Sequence, residues 1–123
     1  MPFFVVESQI GLTAETKAKL ASEITRLTHD IIESELDLIS VMFHDLPPDS
    51  TYRAGQPTKE AVLLGYIRKG RKLETVQRLA LSISKCWSEI TGMSENEIEL
   101  AIAEYPAEVT FRYGARLSEP SYV

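Results

Sequence analysis

The stretch Gly11-Leu12-Thr13-Ala14-Glu15-Thr16-Lys17-Ala18-Lys19-Leu20-Ala21 returns 59 residues later as Gly70-Arg71-Lys72-Leu73-Glu74-Thr75-Val76-Gln77-Arg78-Leu79-Ala80. Five of the eleven pairs are identical, Gly11/Gly70, Glu15/Glu74, Thr16/Thr75, Leu20/Leu79 and Ala21/Ala80. Without a gap, the match extends from Gly11–Gly55 to Gly70–Gly114, adding Ile24/Ile83, Ile39/Ile98, Pro47/Pro106, Thr51/Thr110, Arg53/Arg112 and Gly55/Gly114. So ordered a set of identities marks an internal duplication, with copies at about 2–55 and 61–114.

Each copy reads strand, helix, strand. In the first, Phe3 to Ser8 is a short apolar strand, Thr13 is an N-cap, and Leu20, Ile24, Leu27 and Ile31 recur at helical spacing. Leu38 to His44 is the expected returning strand. In the second, Ala61 to Ile67 is the strand, Val76, Leu79, Ile83, Trp87 and Ile90 form the helical stripe, Gly92 is the C-cap, and Ile98 to Ala103 returns. A β-α-β crossover makes the strands of each copy parallel with the helix on one face. The fold class expected is α+β, a four-stranded mixed sheet with two helices on one face. Two helices cover only one face, yet the strands are nearly continuous apolar runs, so the other face calls for a second copy of the chain.

Composition narrows the classes. At 123 residues the chain is one domain, 1–123; 44% hydrophobic and 25% charged residues are those of an ordinary globular protein. A net charge of -5 argues against nucleic acid or an anionic membrane as the main partner. Cys86 is the only cysteine, so no intrachain disulfide forms, and the start lacks the layout of a secretory signal; a cytoplasmic location is expected.

Two places carry chemistry. Pro2 follows the initiator methionine, and removal of Met1 leaves a secondary amine. An α-amino group titrates near ~8 in water, and burial beside cations lowers that value, making the nitrogen a base at neutral pH. The second place is Arg68-Lys69-Gly70-Arg71, at the junction of the third strand and second helix, where two guanidiniums suit a carboxylate. The matching positions of the first copy are Gln9 and Leu12, so the copies have diverged. His29, Asp30 and Glu33 match no metal motif, Cys86 lies in a packing position, and no metal or organic cofactor is indicated.

Met1-Pro2, the tandem β-α-β plan and the Arg-Lys-Gly-Arg turn resemble the tautomerase superfamily, with its 4-oxalocrotonate tautomerase and MIF-like fold. The nearest likeness is to the cis-3-chloroacrylic acid dehalogenase group. It runs through Ser8-Gln9, Leu12-Thr13, Ile24-Thr25, Pro48-Asp49-Ser50, Arg68-x-Gly-Arg71, Pro106 and Tyr113-Gly114. The resemblance implies a homotrimer, Pro2 as general base, Arg68 and Arg71 as carboxylate binders, and small enol or 2-oxo carboxylic acids as substrates. Where the dehalogenase pattern has a histidine, a tyrosine and a glutamate, this chain has Thr28, Ala101 and Arg112. Thr28 and His29 remain possible pocket residues, although adjacent helical side chains are rotated by about 100 degrees.

Without a carboxylate at 112, water activation loses its base, so tautomerisation is expected over dehalogenation or hydration. Arg112 is then a third pocket cation for a substrate carboxylate, or a residue of the fold like its repeat mate Arg53. A decarboxylase of a small 3-oxo acid and a non-catalytic trimeric binding protein are the competing readings. A retained Met1 would acylate Pro2 and remove the base.

Overall fold

The computed structural model describes residues 1–123. The main strands are β1 (Phe3–Ser8), β2 (Ser40–Asp45), β5 (Ala61–Arg68) and β6 (Ile98–Tyr105), and the helices are α1 (Ala14–Ile32) and α2 (Leu73–Thr91). Two hairpins, β3 (Tyr52–Arg53) with β4 (Gln56–Pro57) and β7 (Phe111–Arg112) with β8 (Ala115–Arg116), follow β2 and β6. The sheet order is β2-β1-β5-β6. Pairing is parallel within each copy and antiparallel between β1 and β5, where Val5 faces Leu64. The duplication is therefore a structural one.

It reaches the irregular parts as well. Short 3-10 turns at Leu36–Leu38 and Glu95–Glu97 stand at the same offset, as do the two hairpins. In both hairpins the two central residues, Ala54-Gly55 and Tyr113-Gly114, have positive φ, the type I′ geometry whose twist matches that of the strands it joins. The first turn also corrects one expectation: the returning strand begins at Ser40, not Leu38. The amides of Leu38 and Ile39 are bonded back to Glu35 and Leu36, and so leave the ladder.

Thr13 caps α1 by accepting from Thr16 N–H at 3.1 Å. Gly92 ends α2 in the left-handed conformation; its repeat mate Glu33 takes the same conformation with a side chain. The wholly buried faces are Leu20, Ile24, Thr28 and Ile32 on α1 and Leu79, Ile83 and Trp87 on α2, over Phe4, Val6, Leu63 and Ile67 of the central strands. Each such large apolar side chain contributes about 1.5–3 kcal/mol by leaving water. Gly65 permits the closest approach in this layer, since a Cβ there would stand 2.8 Å from Phe4 Cε1.

Burial along β5 alternates, with Val62, Leu64 and Tyr66 half-buried on the face away from the helices. Val5, Met42, Leu64 and Ala101 form one row across that face, and the stacked rings of Phe3 and Tyr66, 4.6 Å apart, lie in the next. No element of the chain covers it. No helix is long and apolar enough to cross a membrane.

Candidate active site

β5 ends at Arg68, the chain turns at Gly70 with φ +133, and α2 begins after Lys72. A side chain at Gly70 would be strained there. The turn buries both arginines, each 7% exposed, but it uses them differently.

Arg71 is tied to the chain at three nitrogens. Its Nε donates to the Ile32 carbonyl at 3.1 Å, its Nη1 to the Arg68 carbonyl at 3.0 Å, and its Nη2 to Ser34 Oγ at 3.3 Å. It thereby donates to the open carbonyl end of α1, a site for which a cation is suited. Burial, then the charge of Arg68, lowers its pKa to about 10. Arg68 has one protein bond, from Nη1 to the Ser118 carbonyl, and its Nε is buried with no partner. A buried N–H without an acceptor is costly, and no group of the chain meets this one.

Both guanidiniums line a cleft of about 360 Å3. Its other walls are Glu33, Glu35, Asp37 and Leu38 beyond α1, Tyr113 of the second hairpin, and Leu117 to Ser121. The chain start lies within reach of the same charges. The Met1 amine is brought from its usual value near 8 to about 5, first by burial and then by the charges of Arg68, Arg71 and Arg112, with Glu35 opposing. Pro2 is fully buried, and its carbonyl accepts from Ser40 N–H at 3.1 Å, which fixes the first residues to β2.

Arg112 is held by the first copy. Its Nη2 donates to the Asp37 carbonyl at 3.2 Å and its Nη1 to Ser40 Oγ at 3.3 Å, while the guanidinium stands 5.3 Å from the centre of the Tyr113 ring. The Tyr113 hydroxyl is 3.3 Å from the same carbonyl and 3.2 Å from Asp37 Oδ2. Arg53, the repeat mate, is instead exposed and 4.0 Å from Glu60. The two arginines thus serve different ends.

Thr28 is placed against expectation for a pocket residue. It is fully buried within the subunit, and its hydroxyl donates to the Ile24 carbonyl at 2.7 Å, so it faces no open space of this chain. His29 is exposed, with Nδ1 2.7 Å from the Ser34 carbonyl, and adjoins the cleft only through Ser34 and Arg71. Ala101 lies on the open sheet face opposite Leu64. Glu35, Asp37 and the segment 117–121 carried no periodic signal in the sequence, because they lie in turns and irregular chain whose placement depends on the fold.

A family model described as tautomerase enzyme matches residues 2–61, the first copy from Pro2 to the start of β5. Among solved structures, the chain is similar to N1, a member of the cis-3-chloroacrylic acid dehalogenase family, at 26% identity and a TM-score of 0.92, covering 96% of this chain and 85% of that one. It is also similar to Pt0534, solved after inactivation by 2-oxo-3-pentynoate, at 26% identity and a TM-score of 0.86, covering 93% of this chain and 94% of that one. A fused 4-OT, solved as an asymmetric trimer, shares the fold at 22% identity and a TM-score of 0.85, covering 93% and 94% of the two chains. No curated protein matches the chain.

Proposed function

From a chain that belongs to the tautomerase superfamily, we propose a tautomerase of small enol or 2-oxo carboxylic acids that works, once Met1 is removed, through the ring nitrogen of Pro2 in a homotrimer. The observation that carries this reading is the environment of the chain's first nitrogen: its burial first, and then the charges of Arg68, Arg71 and Arg112, bring its pKa down to about 5 while Met1 is present. In a chain that begins at Pro2, the same charges would act on the ring nitrogen one residue on and favour its neutral form.

The mechanism follows from that protonation state. Pro2 nitrogen takes the enol hydroxyl proton, the electron pair of that O–H bond forms the carbonyl, and the C–C double bond moves its pair onto carbon 3. The protonated ring nitrogen then returns the proton to carbon 3. Arg68 holds the substrate carboxylate through the N–H groups that the chain leaves free, and its charge stabilises the enolate as it forms. Arg71 keeps Arg68 in place through the Arg68 carbonyl and adds its charge. The uncovered sheet face, with Val5, Met42 and Leu64 across its middle, is the surface on which three copies assemble. The test joins intact mass with turnover of phenylenolpyruvate: a chain beginning at Pro2 should be active, and the chain beginning at Met1 should not.

One observation favours a second reading. Glu35 lines the cleft and its charge reaches the first nitrogen, so a carboxylate able to activate water is present although position 112 holds arginine. A hydratase or dehalogenase would use Glu35 as the base toward water and protonated Pro2 as the acid. Glu35→Gln separates the two, since it removes water addition and spares tautomerisation.

A further inference from the structure

The first copy shows how the corner between strand end and helix start closes on itself. Gln9, the repeat mate of Arg68, donates through Nε2 to the Thr58 carbonyl at 2.8 Å. Its Oε1 accepts from Ser50 N–H at 2.9 Å and from the Thr51 hydroxyl at 3.0 Å. The segment beyond the first hairpin is fastened by Thr58 N–H to the Thr51 carbonyl at 3.0 Å, and the second copy repeats that bond as Leu117 N–H to the Thr110 carbonyl at 2.9 Å.

Beyond Leu117 the copies part. The first copy goes on into β5, whereas Ser118 to Val123 runs back across the arginine turn. Arg68 Nη1 donates to the Ser118 carbonyl. Pro120 lies over Gly70, where an added Cβ would be 3.2 Å from Pro120 Cγ. Lys72 N–H donates to the Val123 main-chain oxygen at 2.9 Å, and Lys72 Nζ stands 5.4 Å from the centre of the Tyr122 ring. Ser118, Glu119, Pro120 and Ser121 also form a wall of the cleft, and the Glu119 charge acts on Arg68.

A carboxylate engages a guanidinium through two parallel N–H bonds. The Ser118 carbonyl takes one nitrogen of Arg68 and leaves Nε bare. The corner that Gln9 completes in the first copy is therefore only half filled in the second, by a segment carrying its own carbonyl and carboxylate.

We propose that Leu117–Val123 is a strap that competes with the substrate carboxylate for Arg68, so that one nitrogen of the guanidinium is held by the chain itself and two-point binding of a carboxylate requires the strap to let go. This rests on the reading of Arg68 as the carboxylate binder. The measured affinity is then the intrinsic one multiplied by the fraction of molecules with the strap released, and loosening the strap tightens binding. Tyr122 is 74% exposed and Glu119 is at the surface, so both can be changed without opening the core.

The experiment is calorimetric titration with pyruvate of the parent protein, a Glu119→Gln/Tyr122→Ala variant and Arg68→Gln, with hydrogen exchange of residues 118–123 in the parent. The double variant should bind at least about threefold more tightly, and saturating pyruvate should speed exchange along the strap. Unchanged or weaker binding by the double variant, or exchange slowed by pyruvate as for a lid closing over its ligand, overturns the strap. If Arg68→Gln loses binding while the double variant gains nothing, the strap alone falls and Arg68 keeps its role. Full binding by Arg68→Gln, or binding by none of the forms, overturns both.

Discussion

Gln9 and Arg68 stand 59 residues apart at equivalent corners of the two repeats, and their polar atoms are treated in opposite ways. The Gln9 amide is bonded to Thr58, Ser50 and Thr51 of its own copy, whereas Arg68 keeps a buried Nε with no partner. A duplicated fold offers two such corners. Only the second leaves a cationic donor unfilled, and it is the one whose charge reaches the chain's first nitrogen.

Removal of the amine is the most direct check. In a chain that begins at Pro2, Pro2→Ala leaves a primary amine of different geometry and basicity, and phenylenolpyruvate turnover should fall by about 100-fold or more, the usual contribution of a positioned base. In the parent, kcat/KM should rise with pH as the ring nitrogen loses its proton, with the midpoint well below ~8, because the same arginines face it. A midpoint at the ordinary amine value would remove the arginines from the mechanism.

A chain that keeps Met1 should show its buried amine in its stability. The folded amine titrates at about 5, the unfolded one near 8, so between these values the unfolded chain binds the extra proton. Stability is then highest above pH 8, declines as pH falls from about 8 to about 5, and is level below. Urea midpoints of this chain and of its N-acetylated form should diverge in that window alone; parallel curves would place the amine in solvent.

The arginine pair should separate by phenotype. Arg71→Ala deletes three hydrogen bonds from a buried cation and should lower the unfolding free energy by about 2–4 kcal/mol, read from denaturant titration. Arg68→Gln deletes one bond and should leave stability nearly unchanged while raising KM about tenfold or more for carboxylate substrates. The reverse pattern would exchange the roles given to the two residues.

Tyr113→Phe removes the hydroxyl from Asp37 and frees the second hairpin at one point. Arg112 keeps its own bonds to Asp37 and Ser40, so the change should cost at most about 1 kcal/mol and leave monocarboxylate turnover near the parent value. Arg112→Ala should reduce turnover of dicarboxylates more than that of monocarboxylates. Equal losses for both classes would make Arg112 a residue of the fold.

Leu64→Asp puts a charge in the middle of the uncovered face, opposite Val5 and beside Ala101. Sedimentation should then show a monomer for the variant and a trimer for the parent, since a charge cannot be buried unpaired at such an interface. A parent that is already a monomer at micromolar concentration would refute the assembly.

Much of the fold was legible because it rests on local chemistry repeated twice. Thr13 as a cap, Gly92 as a stop and the Leu20-Ile24 and Leu79-Ile83 spacings each express a rule acting within a few residues, and the 59-residue echo supplied the topology. Leu38 and Ile39 are apolar and so read as part of the returning strand, but apolarity alone does not distinguish a 3-10 turn from a strand. The place of Thr28 in a family pattern points to the pocket; its burial is a matter of which way α1 is rotated against the sheet.

The order of residues by itself determined the duplication, the mixed sheet with its two helices, and the presence of Pro2, Arg68, Arg71 and Arg112 as the groups with chemistry to offer. The tertiary structure alone decided how those groups are used: Arg71 spent on the end of α1, Arg112 held by Asp37, Arg68 left with a bare N–H under the segment Ser118–Val123. Helix and strand periodicity arise from neighbours in the chain, but a hydrogen bond between residues 39, 50 or 75 positions apart depends on how the whole chain packs, and no local pattern encodes it.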